Sequence, residues 1–185
     1  MKKLLFISLA AVVCALSFSC SKNSTQQQKE EEQKKDETPA AVQLTFTYYA
    51  TQDMLDMMDI QVIYNDGTGD KTETGTSLEW TKTVTANLPV TFKFDRKVTK
   101  KEGAEFLADK NYSYTKNIRI SHKILNSKGE FIRGGDKTIG SVSGPSKLSG
   151  DKILLLLNEN RMDSAHSYDF DKDGKCPQLD IPENE

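Results

Sequence analysis

The sequence predicts an all-β chain, an immunoglobulin-like antiparallel β-sandwich with a short C-terminal helix. Three observations predict it. Apolar and polar residues alternate with a period of two through much of residues 41–160, the mark of strands with one buried face. The same segments are rich in Thr and aromatic residues, which suit a pleated, half-buried surface. Clusters of Asn, Asp, Gly and Pro punctuate them at the spacing of antiparallel turns. A small closed barrel satisfies the same pattern and is the alternative.

The elements follow in order. Val42, Leu44, Phe46 and Tyr48 point one way, while Gln43, Thr45, Thr47 and Tyr49 point the other. Asp53 is placed to cap one helical turn that gathers Met54, Met57 and Met58. Ile60, Val62 and Tyr64 alternate, and Asn65-Asp66-Gly67 turns the chain with residues that tolerate positive φ. Leu78, Trp80 and Val84 continue the apolar set, and Pro89 leads into a strand with Val90, Phe92 and Phe94. Tyr112, Tyr114, Ile118, Ile120, His122 and Ile124 share one parity and read as a single long strand. Asn126-Ser127-Lys128-Gly129 returns the chain to residues 130–133, Gly134-Gly135-Asp136 reads as a further turn, and residues 137–142 as a short edge strand. The run Ile153-Leu154-Leu155-Leu156-Leu157 fits a buried strand or a short helix capped by Ser149. The helix preference of Leu tips it toward helix. Residues 161–185 are acidic and polar and read as a tail, leaving 41–160 as the sandwich domain.

Charge excludes one class of partner. The 25 basic and 27 acidic residues nearly balance, at a net charge of −2, and the basic ones are scattered. Nucleic-acid binding needs them gathered on one face. Of the three cysteines, Cys14 and Cys20 lie close to the start and only Cys176 falls in the folded region. The domain therefore has no disulfide framework and must be held by its core.

The start of the chain carries an address. Lys2 and Lys3 precede an uncharged apolar stretch at residues 4–18, shorter than the roughly 20 residues that span a bilayer. That order describes a secretory signal over residues 1–19, and the small residues Ser17 and Ser19 also suit ordinary cleavage and plain secretion, the alternative to lipidation. The sequence Leu16-Ser17-Phe18-Ser19-Cys20 resembles a bacterial lipobox, with Ser19 as the small residue before the Cys and Ser17 in place of the usual Leu. The resemblance implies that Cys20 receives a diacylglycerol and palmitate-like acyl chains, and so grips the membrane through buried methylenes at about 0.8 kcal/mol each. Residues 20–40 hold almost nothing apolar and form a tether with a coil reach of about 25 Å. The looser lipobox, with Met54-Leu55-Asp56, Leu78-Glu79-Trp80 and Leu88-Pro89 further on, resembles small uncharacterised lipoproteins of the Bacteroidetes built on a β-sandwich. Ser21 after the Cys implies, by the same resemblance, the outer membrane. The acidic residues 30–32 stand some way from Cys20, so periplasmic and surface orientations both stay open.

Candidate chemistry is sparse. Asp169, Asp171 and Asp173 alternate ahead of Gly174, which resembles the start of an EF-hand-like calcium loop, with Lys175 offering a carbonyl and Asp180 at the closing position. Asp163-Ser164-Ala165 resembles the short O-glycosylation motif of exported Bacteroidetes proteins, making Ser164 the acceptor. Tyr49, with outward parity, is the candidate stacking platform for a glycan. His122 and His166 lack neighbours at metal spacing. No G-x-S-x-G elbow or Gly-rich phosphate loop occurs.

These readings lead to a non-enzymatic envelope lipoprotein acting as a binding or accessory structural component, its membrane partner reached through Cys20 and its other partner a protein or glycan. The alternatives are a glycan-binding accessory of an uptake system and a hydrolase. An exposed aromatic row favours the first; a deep pocket lined by carboxylates or His122 favours the second.

Overall fold

Two four-stranded antiparallel sheets face each other across a core of alternating side chains. The computed structural model describes residues 36–66, 68–140 and 144–180. Cys20, the expected signal and nearly all of the expected tether lie outside the described residues. The first sheet contains β1 (Ala41–Tyr49), β4 (Glu79–Asn87), β7 (Ile118–Leu125) and β8 (Phe131–Ile139), in the order β4-β1-β7-β8. The second contains β2 (Met58–Asn65), β3 (Asp70–Thr74), β5 (Val90–Lys100) and β10 (Ser164–Phe170), in the order β10-β5-β2-β3. A separate pair, β6 (Asn111–Tyr114) with β9 (Ser146–Ser149), sits beside them. Each sheet keeps two edges, so the chain forms an all-β sandwich and not a closed barrel.

The alternation does what it predicts in β1: Val42, Leu44, Phe46 and Tyr48 are wholly buried. Phe46 stacks on Phe94 of the opposite sheet at 4.4 Å between ring centres. Such offset pairs add about 0.5–1.5 kcal/mol beyond area burial. Tyr64 meets Trp80 at 6.2 Å near one open side. That side is closed by Glu73, which accepts hydrogen bonds from Tyr64 Oη and Lys82 Nζ, both at 2.6 Å.

Several expectations need correction. Residues 161–180 are not a tail, and 181–185 lie outside the described residues. β10 pairs with β5 from Ser164↔Arg96 to Phe170↔Val90, and Tyr168, Phe170, Cys176 and Leu179 are buried. Ala165, Ser167 and Asp169 occupy the outward positions of the strand, and Ser164, His166, Tyr168 and Phe170 the inward ones. Residues 112–124 do not form one strand. Thr115 turns inward between β6 and β7, where its N–H faces Met54 Sδ at 3.4 Å and its Oγ1 accepts from the Asn117 N–H. Gly134-Gly135-Asp136 lies inside β8, paired with Lys123, His122 and Ser121. A Cβ on Gly134 would stand 2.1 Å from the His122 carbonyl oxygen, so the glycine serves close backbone approach. Residues 137–139 end β8 at the edge of its sheet, and residues 141–142 lie outside the described ones. Leu78 is half-exposed and precedes β4.

The ambiguous run is helical. α2 (Gly150–Asn158) turns Ile153 and Leu157 into the core and leaves Leu155 outside, and its N-cap Ser149 makes no side-chain hydrogen bond. The earlier α1 (Gln52–Met57) is capped by Thr51, whose Oγ1 accepts from the Met54 N–H. Asp53 instead accepts the Ser113 N–H at 2.6 Å, tying α1 to β6.

Candidate functional site

A recess of about 410 Å³ opens between the sheets where β7 begins and β8 ends on one side and β10 begins on the other. Its size falls within the range of small-ligand sites. Tyr114, Ile118 and Ile139 give it apolar walls. Ser164 and His166, two apart on β10 and so on one face, line it from the opposite sheet. Lys116 and Asp163 stand on its border with opposite charges.

Behind Ser164 lies Arg96. The two are direct cross-strand partners, so their Cβ atoms stand about 5 Å apart on the interior face. Arg96 is only 1% exposed. Its position follows from the parity of β5, in which Phe92, Phe94, Arg96 and Val98 all face inward. The guanidinium lies over the Tyr48 ring at 5.7 Å, and Nη2 donates to the Met162 carbonyl at 3.3 Å. Among the described residues, Nε and Nη1 have no hydrogen-bond partner, and neither do Tyr48 Oη, Ser164 Oγ and His166 Nε2.

This is an unusual interior. A buried ion without a counterpart costs several kcal/mol even after relaxation. Burial pushes the Arg96 pKa down, opposed by Tyr48 and Asp163, yet a guanidinium does not give up its proton in a protein. Among the described residues Arg96 makes no ion pair within 4 Å; Asp163, whose Oδ1 accepts the Val98 N–H at 2.8 Å, acts on it only at a distance. His166 has a lowered pKa, chiefly from burial and then from Arg96, so its ring is neutral near pH 7. The arrangement can present hydrogen-bond donors and positive potential to a group entering from the recess. Ser164 and His166 do not bond to each other, as a serine nucleophile and its base do.

The other candidates fall elsewhere. Ser164 does not offer a surface hydroxyl for glycosylation: its Oγ is buried at the start of β10. The calcium set does not converge. Asp169 accepts from Thr91 Oγ1 and Gln178 Nε2, Asp171 from the N–H groups of Asp173 and Lys175, and Asp180 from the Cys176 N–H. Asp173 pairs with Lys172, and the Lys175 carbonyl accepts the Asp171 N–H. The carboxylates hold a tight turn around Gly174, whose φ is 69°. Among the described residues no three His, Cys, Asp or Glu side chains are grouped to hold a metal. Tyr49 is half-buried at the end of β1, with Arg119 close enough for its charge to be felt. Its face is otherwise polar, crossed by Thr45–Thr83 and Thr47–Thr81 hydrogen bonds. His122 is half-buried against Phe170 at 5.7 Å and lines a second, open recess of about 260 Å³ with Asp136 and Asp180, which are engaged by Arg119 and the Cys176 N–H. The Cys176 thiol is buried, its pKa raised by that burial, and it donates to Gln178 Oε1.

Sequence reasoning missed Arg96. Its signal was available as an arginine at apolar parity between Phe94 and Val98. No family model, no curated protein and no solved structure matches the chain.

Proposed function

We propose that this chain is a non-enzymatic cell-envelope lipoprotein, anchored to the outer membrane through acyl chains on Cys20, whose sandwich works by binding. The recess carries the binding half of this reading. It combines apolar walls with a floor of unpartnered donors, the composition by which small-ligand sites orient a guest. The anchoring half rests on the charged start, the short apolar stretch and the Ser19-Cys20 junction. The polar outer face around Tyr49 speaks against stacking of glycans.

Two measurements test it. The mature protein, expressed with an alkyne-tagged fatty acid, is expected to carry the label and to begin at an acylated Cys20, with Cys20→Ala unlabelled. An unmodified mature first residue overturns the anchor. A fluorophosphonate probe is expected to leave Ser164 unlabelled. Stoichiometric labelling there revives the hydrolase and overturns the non-enzymatic reading.

A further inference from the structure

We propose that the recess binds a small organic acid through its single carboxylate, with Ser164 and His166 as first contacts and Arg96 as the charge behind them. The inference rests on the binding reading above and names the ligand class. Three observations carry it. The guanidinium is 1% exposed and has two nitrogens without a hydrogen-bond partner among the described residues. Its cross-strand partner Ser164 lines the recess. Two further unpartnered polar atoms, Ser164 Oγ and His166 Nε2, belong to the same floor. An arginine fork suits a planar carboxylate, which accepts two parallel N–H bonds.

Charge bears on the valence. Arg96 and Lys116 bring two positive charges, Asp163 brings one negative charge, and Asp95, whose field reaches His166, brings a second. At most one net positive charge remains, which suits a monoanion better than a doubly charged phosphate. The walls then select for the rest of the ligand. Tyr114, Ile118 and Ile139 offer an aromatic and two branched aliphatic surfaces, so an acid with a compact apolar body, a ring or a short branched chain, fits best.

Entry asks for a small local adjustment, because the unpartnered atoms are themselves covered. Ser164 needs only a χ1 rotation to aim its hydroxyl outward. The carboxylate then contacts Ser164 and His166, and the guanidinium swings from its one weak bond to Met162.

The test uses the full-length protein in detergent, titrated by calorimetry with benzoate, benzamide and inorganic phosphate. In parallel, the amide signals of Ser164 and His166 are followed by NMR. Saturable benzoate binding is expected, with shifts at both amides, and benzamide should bind at least tenfold more weakly. Arg96→Met should lose benzoate tenfold or more, and Arg96→Lys should recover part of it. Should Arg96→Met not fold, Ser164→Ala is expected to weaken benzoate severalfold in a folded protein. Equal binding of benzoate and benzamide, preference for phosphate, unaltered binding in the Ser164 and Arg96 variants, or no saturation below tens of millimolar each overturns the proposal. None of these outcomes touches the Cys20 acylation readout, so a failure here is separable from a failure of the envelope assignment.

Discussion

At the scale of single residues, the interior around Tyr48 is fitted to one atom. A Cβ placed on Gly75 would lie 1.5 Å from Tyr48 Oη and 2.7 Å from Cζ. Gly75 is therefore a glycine for space, since the ring of Tyr48 is wholly buried and cannot retreat to solvent. Gly75→Ala should cost about 1–3 kcal/mol or more, the range for overpacked cores. Tyr48→Phe removes the atom in closest conflict, so the double variant should recover part of that loss. Urea unfolding of the two singles and the double, read as a mutant cycle, measures it. Independent, additive costs would show that Gly75 matters for a reason other than Tyr48. Arg96 belongs to the same neighbourhood, and its burial illustrates why composition alone misleads. A charge count assigns every arginine to the surface, whereas the strand parity of β5 sends this one inward.

At the scale of elements, local alternation was enough to read β1, β2 and the start of β5, each with one apolar parity, and β4, where Trp80 and Val84 keep the parity although Lys82 stands between them. It failed where the parity persists but the backbone does not. Tyr112 and Ile118 share a face in the sequence, yet residues 115–117 leave the ladder so that Thr115 can pack against Met54. It failed again at β10, where acidic and Ser residues on the outward positions mask the inward Tyr168 and Phe170. The third failure was at β8, whose two glycines read as a turn until their close packing on His122 is known. The reassignment of β10 has an energetic consequence. Phe170 is 3% exposed and meets Phe92 edge-on at 6.1 Å. Phe170→Ala should cost about 3–5 kcal/mol, where a residue in a solvated tail would cost almost nothing. Chemical denaturation distinguishes the two, and a change below 0.5 kcal/mol would contradict the pairing of β10 with β5.

At the scale of the whole molecule, the two-sheet architecture was legible because period-two patterning decides fold class. The recess was not, because it forms from parts far apart in the chain: 114–118, 139–140, Gly144 and Ser146, and Asp163, Ser164 and His166. Nothing local marks Ser164 as a neighbour of Ile118. The assembled core also sets a pH response. His122 and His166 both sit below the ordinary imidazole value of 6.5, chiefly through burial. Unfolded, they take up protons as pH falls through 6.5; folded, they do so only at lower pH. The unfolded state then binds more protons, so stability declines as pH drops below about 6.5. Above that value both states hold neutral rings and no such dependence exists. The carboxylates of Asp136 and Asp171, lowered chiefly by hydrogen bonds from Arg119 and the Lys175 backbone, act the same way only at more acid pH. The urea midpoint should therefore fall between pH 7.5 and 5.5, and His122→Asn with His166→Asn should flatten that slope. An unchanged slope in the double variant would assign the effect to other groups.

The direction of β1 has a consequence for orientation. The strand begins at Ala41, paired with Asn87 and Leu125, and its far end, at Tyr48, pairs with Trp80 and Ile118. Ile118 is a wall of the recess, so the opening lies a strand's length, roughly 25 Å, from the point where the polypeptide enters the sandwich. The chain's entry into β1 and the mouth of the recess are thus opposite ends of one strand, so a change made beside Ala41 should leave the recess walls in place.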